Sequence, residues 1–449
     1  VISSRRSVSG STDFYHPVRR IIILNVEGRL KMKYIITLLV VVIASACIVS
    51  TSASIEIEPT DTVMYKLADG YTVVDTGQDK CYDERGTEID PEYSDRFYGQ
   101  DAQHEGNDHH YVTFGDDVVI DITTGLMWQR SPGEKVSFES AFKKAEECSL
   151  LGFDDWRLPS IKELYSLIDF NGVTGTTAQN SIPYIDTDYF EFKYGDESKG
   201  ERMIDSQYWS STEYVSTTMR EDPTVFGVNF ADGRIKGYPK YSPPTPGSSN
   251  RGDKMMYAIF VRGNSDYSVN DFTDNNDGTI TDNATGLMWA QKDSGEGMNW
   301  EDALMWVQEK NEVEYLGYSD WRIPNIKELQ SIVDYTRSPD TTNSPAIDPI
   351  FELTEEDDGT YPYFWSSTTH LDGPKDIRGS AACYIAFGEA KGYMKPPHGG
   401  SAQLMDVHGA GAQRSDPKSG DPDEFPEGRG PLGDVIKIFN FVRLVRDVD

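Results

Sequence analysis

TGLMW at Thr124–Trp128, DWRLPSIKEL at Asp155–Leu164, YWSST at Tyr208–Thr212 and FVR at Phe260–Arg262 follow one another in the first half of the chain. In the second half the same blocks return in the same order: TGLMW at Thr285–Trp289, DWRIPNIKEL at Asp320–Leu329, FWSST at Phe364–Thr368 and FVR at Phe441–Arg443. Such a match means two copies of one domain, placed at 111–264 and 270–449. What both copies share is first a candidate for the common core. What only one copy carries is a poor candidate for a common function.

Each copy reads with the same local logic. Asp277-Gly278 ahead of Thr279-Ile280-Thr281 is a favoured tight-turn pair, so a hairpin opens the repeat. Asp274-Asn275-Asn276-Asp277-Gly278 also resembles part of a calcium loop, without the spacing and the glutamate of an EF-hand; copy one has Phe114-Gly115-Asp116-Asp117 there. A first helix is expected from Phe138, Ala141, Phe142, Ala145 and Cys148, matched by Trp300, Ala303, Leu304 and Val307. A second helix starts at a capping box, Ser160 to Glu163 or Asn325 to Glu328. Its buried stripe is Ile161, Leu164, Leu167 and Ile168, matched by Ile326, Leu329, Ile332 and Val333. A long polar loop, the WSST strand, a strand through Phe226–Phe230 and a final strand ending in FVR complete the repeat. Between the last two strands lie loops of unequal length, Pro239–Asp253 and Pro396–Asp434.

With 449 residues and ordinary apolar content the chain can bury a core in each copy, whereas its net charge of −32 is far from ordinary. That charge repels phosphate backbones and disfavours nucleic acid and anionic glycans. It suits a secreted protein or divalent cations. The four cysteines, Cys47, Cys81, Cys148 and Cys383, form no C-x-x-C pair. Cys81 with Cys148 reads as a disulfide or, equally, Cys148 reads as a buried thiol.

Lys31 and Lys33, the apolar run Ile35–Ile43 and the small residues after it form an export signal at 32–53. The run is shorter than the roughly 20 residues of a membrane span. Met32 is then the expected start, with 1–31 an upstream misreading. Ala44-Ser45-Ala46-Cys47 resembles a lipobox with Cys47 lipidated; cleavage after Ala53 is the alternative. Either places the protein outside the cytoplasm, secreted or at the cell surface, and in the outer membrane if lipidated. Lipidated Cys47 is the only membrane attachment expected. The acidic segment 54–110 is expected to pack on the first repeat.

Little in the repeated residues points to chemistry. Trp128/Trp289, Trp156/Trp321 and Trp209/Trp365 sit in apolar motifs and read as core rather than as sugar-stacking platforms. Arg157/Arg322 read as buried arginines pairing with Asp155/Asp320 or with carbonyls. Ser210-Ser211-Thr212 and Ser366-Ser367-Thr368 have no shared histidine to activate them, since His370, His398 and His408 occur in copy two alone. His109-His110 lacks a third metal ligand in sequence view. No catalytic residue and no cofactor are expected, with calcium left open, and the ligand-binding residues stay unknown.

The blocks TGLMW, DWRLPSIKEL, WSST and FVR resemble the C-terminal domain family of the Legionella collagen-like adhesin. YTVVDTGQDKCYD and FYGQDAQ resemble the segment that precedes this domain in bacterial surface proteins. The resemblance implies an α+β fold: two tandem C-type-lectin-like domains, each with two helices, a small twisted antiparallel sheet and long loops. WRLP is also similar to a motif of the formylglycine-generating enzymes. The EPN/QPD and WND motifs of calcium-dependent lectins are absent, as is a collagen-like tract. The expectation is an exported binding or adhesion protein, not an enzyme, recognising a surface glycan or a protein. The loops Asn171–Gln207, Thr336–Tyr363 and Pro396–Asp434 are its expected ligand face. Deleting Pro396–Asp434 is expected to leave a folded protein. The alternatives are a structural subunit of a surface layer or filament, and a catalyst of the formylglycine-generating type using Cys383.

Overall fold

In a computed structural model, residues 70–219, 221–243, 251–395 and 400–448 are described. The expected start at Met32, the export segment, Cys47 and His398 lie outside the described residues. Each copy opens with the expected hairpin, Tyr111–Phe114 with Val118–Asp121 and Phe272–Asp274 with Thr279–Asp282. TGLMW supplies the third strand, Leu126–Gln129 or Leu287–Ala290, and a late strand closes a four-stranded antiparallel sheet. That late strand is Val261–Gly263 in copy one and Val445–Asp447 in copy two.

Here the register corrects the sequence alignment. Met127 faces Arg262, but Met288 faces Arg446, so the counterpart of FVR is Leu444-Val445-Arg446. Copy two reads Phe-Val-Arg and then Leu-Val-Arg in succession, and the eye takes the wrong one. Tyr257 and Phe441 accept the same bond, from the amides of Trp209 and Trp365, which puts Arg443 at the position of Ile259.

The first helices are Phe138–Glu146 and Trp300–Glu312. Phe138, Ala141 and Ala145 are buried, as are Trp300, Ala303, Leu304 and Val307. Phe142 departs from the expectation: it is exposed, and Cys148 falls beyond the helix end. The second helices, Ile161–Ser166 and Ile326–Ser331, are short and start with both halves of the capping box. Ser160 accepts from the Glu163 amide while Glu163 accepts from the Ser160 amide at 2.8 Å; Asn325 and Glu328 repeat this at 2.9 Å. All eight residues of the expected stripe are buried.

These second helices do not cover separate cores. Ile161, Leu164 and Ile168 share one apolar cluster with Ile326, Leu329 and Val333. The WSST strands lie in one six-stranded sheet spanning both copies. From copy one come Gln207–Thr218, Asp222–Asn229 and Arg234–Pro239; from copy two come Gln413–Pro417, Ala381–Ala386 and Tyr363–His370, in mirrored order. The two halves join antiparallel where Gln413 faces Ile235, which gives the repeats an approximate two-fold relation. The expected ligand loop Pro396–Asp434 is therefore no spare loop. It contains the central strand Gln413–Pro417, which pairs with both halves. It also carries Gln403–Asp406, which pairs with Lys391–Met394.

The segment before the repeats, expected on the first, lies on both and covers the second. His109 holds Asp121 of copy one. Phe97 packs in the apolar cluster of copy two beside Trp300 and Leu304. Gln78 exchanges two hydrogen bonds of 2.8 Å with the Thr369 backbone. The segment starts on copy two as well: the Tyr71 amide donates to Ala284 at 2.9 Å. At the far end of the described chain the Val448 amide donates to Gly286, also at 2.9 Å.

Candidate functional site

The shared motifs close on themselves. Trp156 and Trp321 donate their indole N–H to Leu150 and Tyr315 carbonyls at 3.1 and 2.7 Å. Trp209 and Trp365 donate to Val136 and Met298 carbonyls, both at 2.9 Å. All six repeated tryptophans are buried. The hydroxyls of Ser210 and Ser366 donate to the Phe226 and Cys383 carbonyls across the sheet.

The arginines depart from the expectation: Arg322 is mostly enclosed, Arg157 is partly exposed, and both have other partners than expected. Arg157 forms a two-pronged pair with Glu163 at 2.6 and 2.5 Å, and Arg322 with Glu328 at 2.5 and 2.8 Å. Asp155 and Asp320 instead hold Arg262 and Arg446. Each glutamate thus caps its helix and fixes an arginine to it. Arg443 has taken an apolar position of copy one: it is enclosed, and donates to the carbonyls of Ala290, Gln291 and Glu352. Burial pushes its pKa down to about 10.

Between the repeats runs a polar seam that sequence reading missed. Lys162, the third letter of SIKEL, donates to the Ser331 carbonyl of the other copy at 2.6 Å. Lys327 returns the bond to the Ser166 carbonyl at 2.8 Å. Each lysine thereby meets the carboxyl end of the opposite second helix, where orphan carbonyls need donors. Burial lowers both pKa values to about 8. The signal was a lysine at the same place in both copies, between two buried apolar positions. The space beside them, lined by Tyr71, Tyr165, Tyr267 and the two lysines, is narrow, with room for little more than water.

His370 and His408 of copy two lie where the two copies meet, the His408 carbonyl accepting the Gly237 amide of copy one at 2.7 Å. His370 touches Ser415 Oγ at 2.8 Å and the Asp232 carbonyl of copy one at 2.9 Å. Burial and the nearby Arg234 depress its pKa. His408 contacts Asp434 at 2.8 Å, and burial holds its pKa down to about 4. His109 lies between Asp121 and the Ser166 carbonyl, 2.8 Å from each, while His110 is exposed. Asp274 and Asp277 accept from Asn276 and Thr279 and so close the hairpin turn. Among the described residues no cluster of three His, Cys, Asp or Glu is arranged to hold a metal. Cys81, Cys148 and Cys383 are free thiols, so Cys81 and Cys148 are not bridged; burial raises all three pKa values, Cys81 to about 11.

The long loops divide into root and tip. At the roots, Thr174 and Tyr184 of copy one reach the Leu371 carbonyl, and Thr341 of copy two reaches the Val215 carbonyl. Each loop clasps the far end of the other copy's WSST strand. The tips stay outside: Glu197–Gly200 and Asp357–Gly359 are exposed. No helix among the described residues is long and apolar enough to cross a membrane.

The fold defines a duplicated α+β protein whose repeats share one six-stranded sheet and one large apolar cluster. The family model of the Lcl C-terminal domain matches residues 117–245 and 278–404, more than half of the chain, so the chain belongs to that family and carries two copies of its domain. No curated protein and no solved structure matches it.

Proposed function

We propose that the chain is an adhesin-like surface protein that binds a glycan or protein ligand and carries out no chemistry. The observation that carries this reading is the family's domain present twice on one rigid frame, with an exposed loop tip at the same place in each copy. Each repeat is proposed to be a variant of the C-type-lectin-like fold, in which loops on such a frame carry the ligand site. The ligand face narrows to the tips around Glu197–Gly200 and Asp357–Gly359, because the third expected loop builds the sheet. Two tips on one body add avidity when a surface offers repeated ligands. Export and display at the cell surface belong to the same proposal, as does a ligand site that needs no cofactor.

A glycan array probed with the whole chain, with and without calcium, tests it. Saturable binding that disappears when Glu197–Gly200 and Asp357–Gly359 are both replaced by Gly-Ser linkers supports the reading. Binding unchanged by both replacements refutes the assignment to the tips.

A further inference from the structure

The two repeats are alike, yet among the described residues a preceding segment covers the first helix of copy two alone. On copy two the preceding segment runs across the first helix and the last residues of the WSST strand. Its Arg96 pairs with Glu301. Its Phe97 lies on Trp300, with ring centroids 6.3 Å apart, in the same cluster as Leu304. Asp101 accepts the hydroxyl of Thr368 at 2.5 Å. The Ser94 amide and the Asp95 carbonyl bond to the Gln308 side chain.

Copy one has counterparts of these receiving groups, and among the described residues no segment lies on them as Arg96–Asp101 lies on copy two; Phe138 is buried and Phe142 exposed. Glu139 stands for Glu301, Phe138 and Phe142 for Trp300 and Leu304, and Thr212 for Thr368. Thr212 accepts the Ile161 amide at 3.0 Å just as Thr368 accepts that of Ile326. The difference shows in the exposure. Leu304 is 1% exposed and Phe142 38%. The side chain of Arg322 is 12% exposed and that of Arg157 39%. Beside this face Lys143 is exposed and pairs with Glu147.

We propose that the first-helix face of copy one, around Glu139, Phe142 and Thr212, is a docking site for a polypeptide segment of a partner protein. The segment has the chemistry of the chain's own Arg96–Asp101: an arginine, an aromatic residue beside it and an aspartate four residues after the aromatic. The aromatic ring covers Phe142, the arginine meets Glu139 and the aspartate takes the Thr212 hydroxyl. The mode is that of a preformed groove reading spaced anchors. It uses residues other than the loop tips and concerns a peptide, so a blank glycan array leaves it standing and its own failure leaves the loop reading standing.

The test is a fluorescein-labelled peptide of Asp90–Glu105 titrated with the whole chain and followed by fluorescence anisotropy. One saturable site per chain is expected. Phe142→Ser and Thr212→Val in the protein, and Phe97→Ala in the peptide, each weaken binding at least tenfold. Glu139→Lys weakens it too, and the Arg96→Glu peptide restores it to that variant. Phe142 and Glu139 are exposed, so these variants keep the wild-type circular dichroism and melting curve. Absence of saturable binding up to millimolar protein overturns the proposal. So does binding that Phe142→Ser leaves unchanged, which would mark exchange of the peptide with the covering segment on copy two.

Discussion

Asp101 is buried against Thr76 and Thr368, and that burial pushes its pKa up to about 7. A carboxyl that holds its proton more tightly when folded costs stability as the pH rises from about 4, where the unfolded group ionises, to about 7. Asp101→Asn should therefore gain roughly 2–4 kcal/mol over the wild type at pH 8 and little at pH 4. Urea unfolding at both pH values checks this, and an equal gain at the two would contradict it. The arginines give a second contrast. Arg322→Met leaves Glu328 enclosed and unpaired, at a cost of about 3 kcal/mol or more. Arg157→Met should cost less, because its pair with Glu163 stands nearer to water. At this scale the burial of tryptophan was legible, since the residues recur in apolar motifs, while that of the arginines was overstated for Arg157. The partners of the arginines were not legible. Asp155 is two residues from Arg157 and Glu163 six, and only the fold decides that the farther carboxylate faces it.

The second helices are short and depend on their caps. Ser160→Ala and Asn325→Ala should each cost about 1 kcal/mol, read as a drop in melting temperature, with Glu163→Gln and Glu328→Gln adding the loss of an arginine pair. These starts were legible because a capping box is local: four residues contain its whole physics. The strand Gln413–Pro417 was not. It follows a long Gly- and Pro-rich stretch, and its pairing partners are a strand of its own copy and one far back in the other. Nothing local announces such a strand. Its removal, which the sequence alone made to look harmless, should split the six-stranded sheet. Deleting 413–417 is expected to give a chain that binds a hydrophobic dye and melts without cooperativity.

Taken whole, Thr62–Asp449 is one compact unit. Each repeat has a smaller apolar cluster of its own, but the largest is built by both second helices, and the lysine bonds cross between the copies. One cooperative transition is expected in calorimetry, and a fragment of 111–264 should be poorly folded; two separable transitions would contradict the shared core. The duplication was legible from its motifs, but motifs count domains without telling whether they touch. One feature of the closure bears on mechanics. The described chain comes in at Tyr71 and goes out at Val448, and these bond to Ala284 and Gly286, within a single turn of copy two. Tension applied between Tyr71 and Val448 would load that turn and the strands beside it first. Copy one, with its open helix face, hangs off the path of the force and would keep its shape while its neighbour strains.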